Sequence, residues 1–217
     1  MSDGYQLDPD HLVRTEADLR ALFSPTHDLA LKKCQARLSV HAQAFIRRSP
    51  FVCIGTQSPD GRADVSPRGD PAGFVEILDA QTIALPDRPG NNRLDTLSNI
   101  VANPAVGLIF MIPGFDDTLR LNGRAMLSTD PQLLGRMAVG GSVPKLAIVV
   151  AIDEVFLHCA KAFRRSHLWD PAHHQDRREM PSLMKFILDE IGDAPEEEDA
   201  MRKLDEGLEQ AYQTSMY

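Results

Sequence analysis

The sequence predicts an α+β protein that is mainly β, an antiparallel barrel of six strands with helices on either side. Between residues 51 and 157 the apolar residues come in strand-length runs separated by short turn signals, the pattern of a barrel. On both flanks the apolar spacing changes to three and four, the period of a helix. A chain of 217 residues, 43% hydrophobic and 25% charged, has the profile of a globular protein with room for one core.

A short helix is expected over Asp10 to Phe23, with Leu12, Leu19 and Leu22 on one side. A longer one is expected in HDLALKKCQARLSVHAQAFIRRSP, where Leu31, Cys34, Leu38, Ala42 and Phe45 share a face and Pro50 marks the stop. From Phe51 the pattern changes. FVCIGTQSPDGRADVSP is an apolar run, a turn carrying Asp-Gly and a second extended stretch, which reads as a hairpin. Further strand candidates are Gly73 to Leu78, Thr82 to Leu85, Ala105 to Ile112, Thr118 to Ser128 and Lys145 to Leu157. A helix over Asn92 to Ala102, closed by Asn-Pro, interrupts them, and another starts at Asp130 as N-cap with Pro131 in its first turn.

After the last strand, HCAKAFRRSHLW reads as a helical turn, and PSLMKFILDEIG as a helix with Pro181 at its start and Gly192 past its end. PEEEDAMRKLDEGLEQAY is a last helix whose stripe of Met201, Leu204, Leu208 and Tyr212 suits docking on its own domain or on a partner subunit. The expected organisation is N-terminal helices over 1–50 packing on a barrel over 51–166, then a helical extension over 167–217, all in one structural domain.

The net charge of −8 and the acidic run Glu196 to Asp199 disfavour general phosphate-backbone binding, so no nucleic-acid partner is expected. No membrane partner is expected either: the longest apolar run, Leu146 to Ile152, is strand length and far below the roughly 18 residues of a span. Cys34, Cys53 and Cys159 are odd in number and widely spaced, and the N-terminus is polar with no secretory leader. Both features lead to the expectation of a reducing cytoplasm.

Three stretches concentrate cations and small residues at element ends: RADVSPRGDPAG, LPDRPGNNRLDTLSNI and HCAKAFRRS. In an acidic chain, cations recurring at turns and helix starts suit a local anionic ligand. A helix starting near Asn92 leaves its first N–H groups unpaired at the positive end of its dipole, where a phosphate is stabilised. Arg93 in the first turn adds a charge-assisted contact. Alternatively, Asn91 or Asn92 is only a cap, and Arg88 and Arg93 are solvated. Ser66, Pro67 and Gly69 are either a plain turn with Arg68 and Asp70 as a surface ion pair, or a Pro-broken strand whose free backbone groups read the edge of a planar ligand. Lys161, Arg164 and Arg165 are either a basic surface face or an anion site.

Other patterns are weaker. His158-Cys159 and His173-His174 are adjacent pairs that point apart, no H-x-x-x-H occurs, and no metal is expected. No nucleophile elbow, dinucleotide fingerprint or phosphate loop is present. The one tryptophan, Trp169, is expected to pack against the barrel, with flavin stacking as the alternative.

Taken in order, these residues resemble the flavin-binding split-barrel family related to pyridoxamine 5′-phosphate oxidase. The likeness runs over roughly Leu29 to Ser166, on FIRRSPFVCIGTQSPDGRADVSPRGDPAGFVEILD, TIALPDRPGNNRLDTLSNIVANPAVGLIFMIPG, DTLRLNGRAML and HCAKAFRRS. The resemblance implies a six-stranded antiparallel split β-barrel over 51–166 that works as a homodimer and binds FMN in two clefts at the dimer interface. It places Ser66, Pro67 and Arg68 along the isoalloxazine and ribityl chain, and Asn92, Arg93 and Arg88 on the phosphate. Lys161 and Arg164 would complete the anion site or face the pyrimidine edge, and Thr118 and Arg120 would come from the other subunit. The vitamin oxidase ends in a basic, Trp-containing segment, whereas this chain ends EGLEQAYQTSMY, so pyridoxine chemistry is not expected. What the resemblance implies is an FMN-dependent oxidoreductase with a small-molecule substrate or electron donor and no assigned catalytic residue. The alternative is a non-catalytic flavin- or haem-binding protein, with His158 and His167 as the nearest axial candidates.

Overall fold

The computed structural model describes residues 5–217. The chain divides into two compact units, Met1–Cys34 and Gln35–Tyr217. In the first, a short 3-10 turn precedes α1 (Glu16–Ala21) and α2 (Asp28–Lys32), and neither helix buries a residue. Thr15 caps α1 by accepting the Asp18 N–H, and the His27 ring caps α2 by accepting the Leu29 N–H.

In the second unit the chain runs through α3 (Val40–Arg48), β1 (Phe51–Gln57), β2 (Ala63–Gly69), β3 (Glu76–Asp79), β4 (Thr82–Pro86) and α4 (Asp95–Ala102). It continues through β5 (Ala105–Met111), β6 (Thr118–Ser128), α5 (Pro131–Arg136), β7 (Ala147–His158), α6 (Lys161–Ser166), α7 (Leu183–Ile191) and α8 (Glu198–Thr214). The long helix expected before Pro50 is two helices. Between them Gln35 pairs with Val155 through two backbone hydrogen bonds, 3.0 and 2.7 Å, and the Leu38 N–H donates to the Ala80 carbonyl. The Ser39 hydroxyl then accepts the Ala42 N–H and starts a new helix. The apolar positions before and after the break keep helical spacing by coincidence, because Leu38 reaches the core from an extended stretch.

Every strand-length run is a strand, and the sheet has seven members where six are expected. Its order is β2-β1-β5-β6-β7-β4-β3, with all neighbours antiparallel. The sheet is open: β2 and β3 are its two edges and do not pair with each other. Pro67, opposite Cys53, has no N–H to give to a further strand, which suits β2 to an edge. Alternate residues of β1, β4, β5, β6 and β7, among them Val52, Ile54, Ile83, Leu108, Phe110, Leu121 and Val150, form one core with Ile46 of α3 and Ile100 of α4. Within β6 the register shifts at Asn122/Gly123, and a side chain at Gly123 would start 2.2 Å from the Ala151 carbonyl oxygen, so only glycine fits there.

The terminal helices follow their signals. Asp130 caps α5, Ser182 caps α7 through the Lys185 N–H, and Gly192 ends α7 in the left-handed region at φ 77°. Of the stripe on α8, Met201 is buried, while Leu204 and Tyr212 remain exposed. The Trp169 indole N–H donates to the Phe115 carbonyl at 2.8 Å and its ring lies against Phe163. Among the described residues no helix is long and apolar enough to cross a membrane.

Candidate functional site

A cleft forms where the edge strand β2 meets the connection from β4 to α4. Four polar side chains fix that meeting. The Asn99 amide donates to the Thr56 hydroxyl at 3.0 Å, and the Thr56 and Thr96 hydroxyls both donate to Asp64 Oδ2, at 3.3 and 3.0 Å. Thr56, Thr96 and Asn99 are buried, so this chain ties the start of α4 to the β1–β2 hairpin in a setting where each lost partner is costly.

The connection itself is unusual backbone. Asn92 and Leu94 both sit in the left-handed region, at φ 57° and 61°. For that reason α4 starts at Asp95 and not at Asn92 as expected. Leu94 is its N-cap residue and offers no side-chain acceptor. The Asn91 carboxamide oxygen instead accepts the Arg93 N–H at 3.1 Å. The first N–H groups of α4 are therefore left to the cleft, with the positive end of the dipole behind them.

The cleft has a volume of about 220 Å³ and is lined by Ser66, Pro67, Arg68, Arg88, Asn92 and Arg93 together with Asp64, Asp87 and Asp95. Six of the residues expected at a cofactor site are thus brought together, in a lining where three arginines face three aspartates. The arginines differ in what they are free to do. Arg88 Nε donates to Asp70 Oδ2 at 2.6 Å and its Nη2 to the Met137 carbonyl at 2.8 Å, and the two side chains are 15% and 1% exposed. Arg68 Nη1 donates to Asp87 at 2.6 Å, while its Nε is buried with no hydrogen-bond partner. The alternative of an Arg68 to Asp70 surface pair is not what forms; each takes a different partner. Arg93 is 74% exposed and its Nε meets only Asp95, at 2.7 Å, a contact that raises the guanidinium's affinity for its proton.

The other expected site residues do not line this cleft. Thr118, the first residue of β6, is buried. Arg120 lies on the outer face of the sheet with its guanidinium 5.2 Å from the Phe156 ring, beside Cys53, Ile109 and Asn122. Burial raises the Cys53 thiol above its usual range. Lys161 opens α6, and Arg164 pairs with Asp116 at 3.0 Å on the surface. His158 ends β7, and His167 follows α6 with φ 53°.

One cluster escapes sequence spacing rules. His167, Asp170 and His173 bring their ligand atoms within 4.8 Å of one another, all exposed. The Ala172 N–H and then His173 hold the Asp170 carboxyl below its ordinary range. The two imidazoles stack at 4.2 Å and 11°, so their in-plane lone pairs lie in parallel planes and do not meet at one ion. Sequence reasoning also misses Asp70, Asp87 and Tyr217 as members of the cleft's surroundings. Only a sheet that brings distant loops together reveals those pairings.

A family model described as pyridoxamine 5′-phosphate oxidase matches residues 38–159, more than half of the chain. The chain belongs to this family, which is known for flavin-binding oxidoreductases. No curated protein matches it. Similar solved structures include HupZ of Group A Streptococcus, 15% identical over 55% of this chain and 93% of that one, with a TM-score of 0.46. A Clostridium acetobutylicum protein related to general stress protein 26, of the pyridoxinephosphate oxidase family, is 13% identical over 55% and 86% of the two chains, with a TM-score of 0.43. The conserved hypothetical protein Rv2991 of Mycobacterium tuberculosis is 14% identical over 69% and 96%, with a TM-score of 0.43.

Proposed function

We propose that this chain is an FMN-binding flavoprotein, an FMN-dependent oxidoreductase acting on a small molecule, and that it works as a homodimer. One observation carries the reading: the uncapped start of α4 and the exposed Arg93 meet at a single cleft at the sheet edge, which Arg68 also lines. Free N–H groups at a helix start together with an arginine that can leave a surface partner fit a phosphate dianion. Arg68, whose Nη1 meets Asp87, lines the same cleft along β2. Family membership supports the same reading.

In this assignment Asn92, Arg93 and the first N–H groups of α4 hold the phosphate. Arg88 is committed to Asp70 and Met137, and its role passes to Arg93. Ser66, Pro67 and Arg68 lie along the ribityl chain and ring. Bound flavin would supply hydride chemistry, to which the chain contributes position and charge. Arg120, Lys161 and Arg164 are assigned to the partner's side of a shared cleft. Thr118, buried in its own chain, is given no contact. Homodimerisation is favoured by the outer sheet face around Val65 and Ile109, which stay exposed beside Cys53 and Arg120.

Purified protein is expected to show flavin absorbance and to release FMN on heating. Arg93→Ala is expected to weaken FMN binding by roughly tenfold or more, the scale of a charged hydrogen bond. Unchanged affinity would remove the phosphate assignment, and failure of FMN to bind the unmutated protein would remove the flavin reading.

A further inference from the structure

A second cavity of about 400 Å³ adjoins the first cleft and shares Ser66, Arg68, Arg88 and Asn91 with it, and Phe74, Pro86 and Tyr217 complete its wall. The Tyr217 hydroxyl donates to Asp70 Oδ1 at 2.6 Å, and the Arg88 guanidinium carbon lies 5.3 Å from the centre of its ring. The groups beneath the ring are fixed without it. Asp70 is held by its backbone N–H on the Pro50 carbonyl and by Arg88 on Oδ2, and Arg88 is held in turn by the Met137 carbonyl.

The ring itself is half-exposed. Tyr217 lies beyond Ser215, the C-cap of α8, and is 43% exposed, with Asp70 and Arg88 as its polar contacts. A seat fixed without its occupant, and an occupant that is half-exposed and lies outside any helix, suit a displaceable plug. The seat's chemistry specifies what fits: the face of a guanidinium favours a π system, and a buried carboxylate oxygen requires a donor. A phenol satisfies both.

We propose that Tyr217 occupies a seat built for an aromatic ligand that carries a hydrogen-bond donor, and that such a ligand binds there by displacing the Tyr217 side chain. The seat consists of this chain's own residues and stands whether or not the neighbouring cleft takes a flavin. Its position against Ser66 and Arg68 puts the ligand next to that cleft. A tethered tyrosine competes with free ligand at high effective concentration, so removing its ring exposes the full affinity of the seat.

The test titrates p-cresol and toluene into the wild-type chain, Tyr217→Ala and Tyr217→Ala/Asp70→Asn, followed by ligand-observed NMR. The expected result is p-cresol binding to Tyr217→Ala about tenfold more tightly than to wild type, with toluene weaker than p-cresol and the preference reduced by Asp70→Asn. Equal p-cresol affinity for wild type and Tyr217→Ala overturns the proposal, as does equal affinity of the two probes for Tyr217→Ala. An ultraviolet titration of the unmutated chain supplies an independent reading, because the hydrogen bond to Asp70 raises the Tyr217 phenol above its ordinary range. A late phenol ionisation is expected, and that step should vanish in Tyr217→Phe. A titration with no late step that Tyr217→Phe removes would show that the seat is unoccupied and would overturn the proposal equally.

Discussion

Arg88 shows how burial changes the meaning of a cation. In the sequence it stands two residues from a glycine and five from Arg93, in company that suits a phosphate. In the fold its guanidinium is taken up by Asp70 and the Met137 carbonyl. Breaking a buried pair leaves the remaining charge uncompensated, so Arg88→Met is expected to destabilise the protein by roughly 3 kcal/mol in urea unfolding. A loss under about 1 kcal/mol would mark the pair as a surface contact. Leu94 carries strain of the opposite kind. A leucine at φ 61° costs about 1 kcal/mol or more, so Leu94→Gly is expected to raise or preserve thermal stability, whereas glycine inside a helix normally lowers it. Tyr217 adds a pH dependence. Its phenol is raised above the unfolded value, so its hydrogen bond to Asp70 is complete below about pH 10 and lost as pH rises through the folded value. Unfolding curves of wild type and Tyr217→Phe should therefore converge in strong alkali and separate below it.

Among the elements, α4 and the end of α2 mark the limits of sequence reading. The apolar period of α4 was legible, and so was its end at Asn-Pro, but its start was not. Asn92 is of a type that tolerates the left-handed region, but nothing announces a second such residue at Leu94, where leucine runs against local preference. The break before α3 was partly legible in Ser39, an ordinary N-cap, yet the three-and-four spacing ran across it. The hairpin of β1 and β2, the cap of α5 and the end of α7 were legible because Asp-Gly, Asp-Pro and Gly192 act locally, whereas the Ser182 cap of α7, one residue past Pro181, was not read. Gly123 belongs to this scale too. Gly123→Ala pushes a methyl group into the Ala151 carbonyl, and a loss of about 1–3 kcal/mol is expected, measurable as a lower urea midpoint. An unchanged midpoint would mean that the bulge between β6 and β7 shifts freely.

For the whole molecule, seven strand-length runs and their antiparallel pairing are legible in the sequence, but the expectation of a six-stranded barrel does not hold and the strand order is not legible. The order β2-β1-β5-β6-β7-β4-β3 interleaves early and late strands, and it is this interleaving that brings Asp70 to Arg88 and Asp87 to Arg68. Short-range signals carry no trace of such partners, so these two pairings were invisible. The proposed dimer belongs to this scale: light scattering is expected to return twice the chain mass, and a monomer would remove the shared-cleft assignment of Arg120, Lys161 and Arg164. The polar links from Asn99 through Thr56 and Asp64 to Thr96 have a consequence for whatever enters. Because they bolt the two banks of the cleft together at hydrogen-bond length, hairpin and helix move as one body and the mouth keeps a constant gauge. A ligand bound as proposed would be selected there by size and charge against a preset gap.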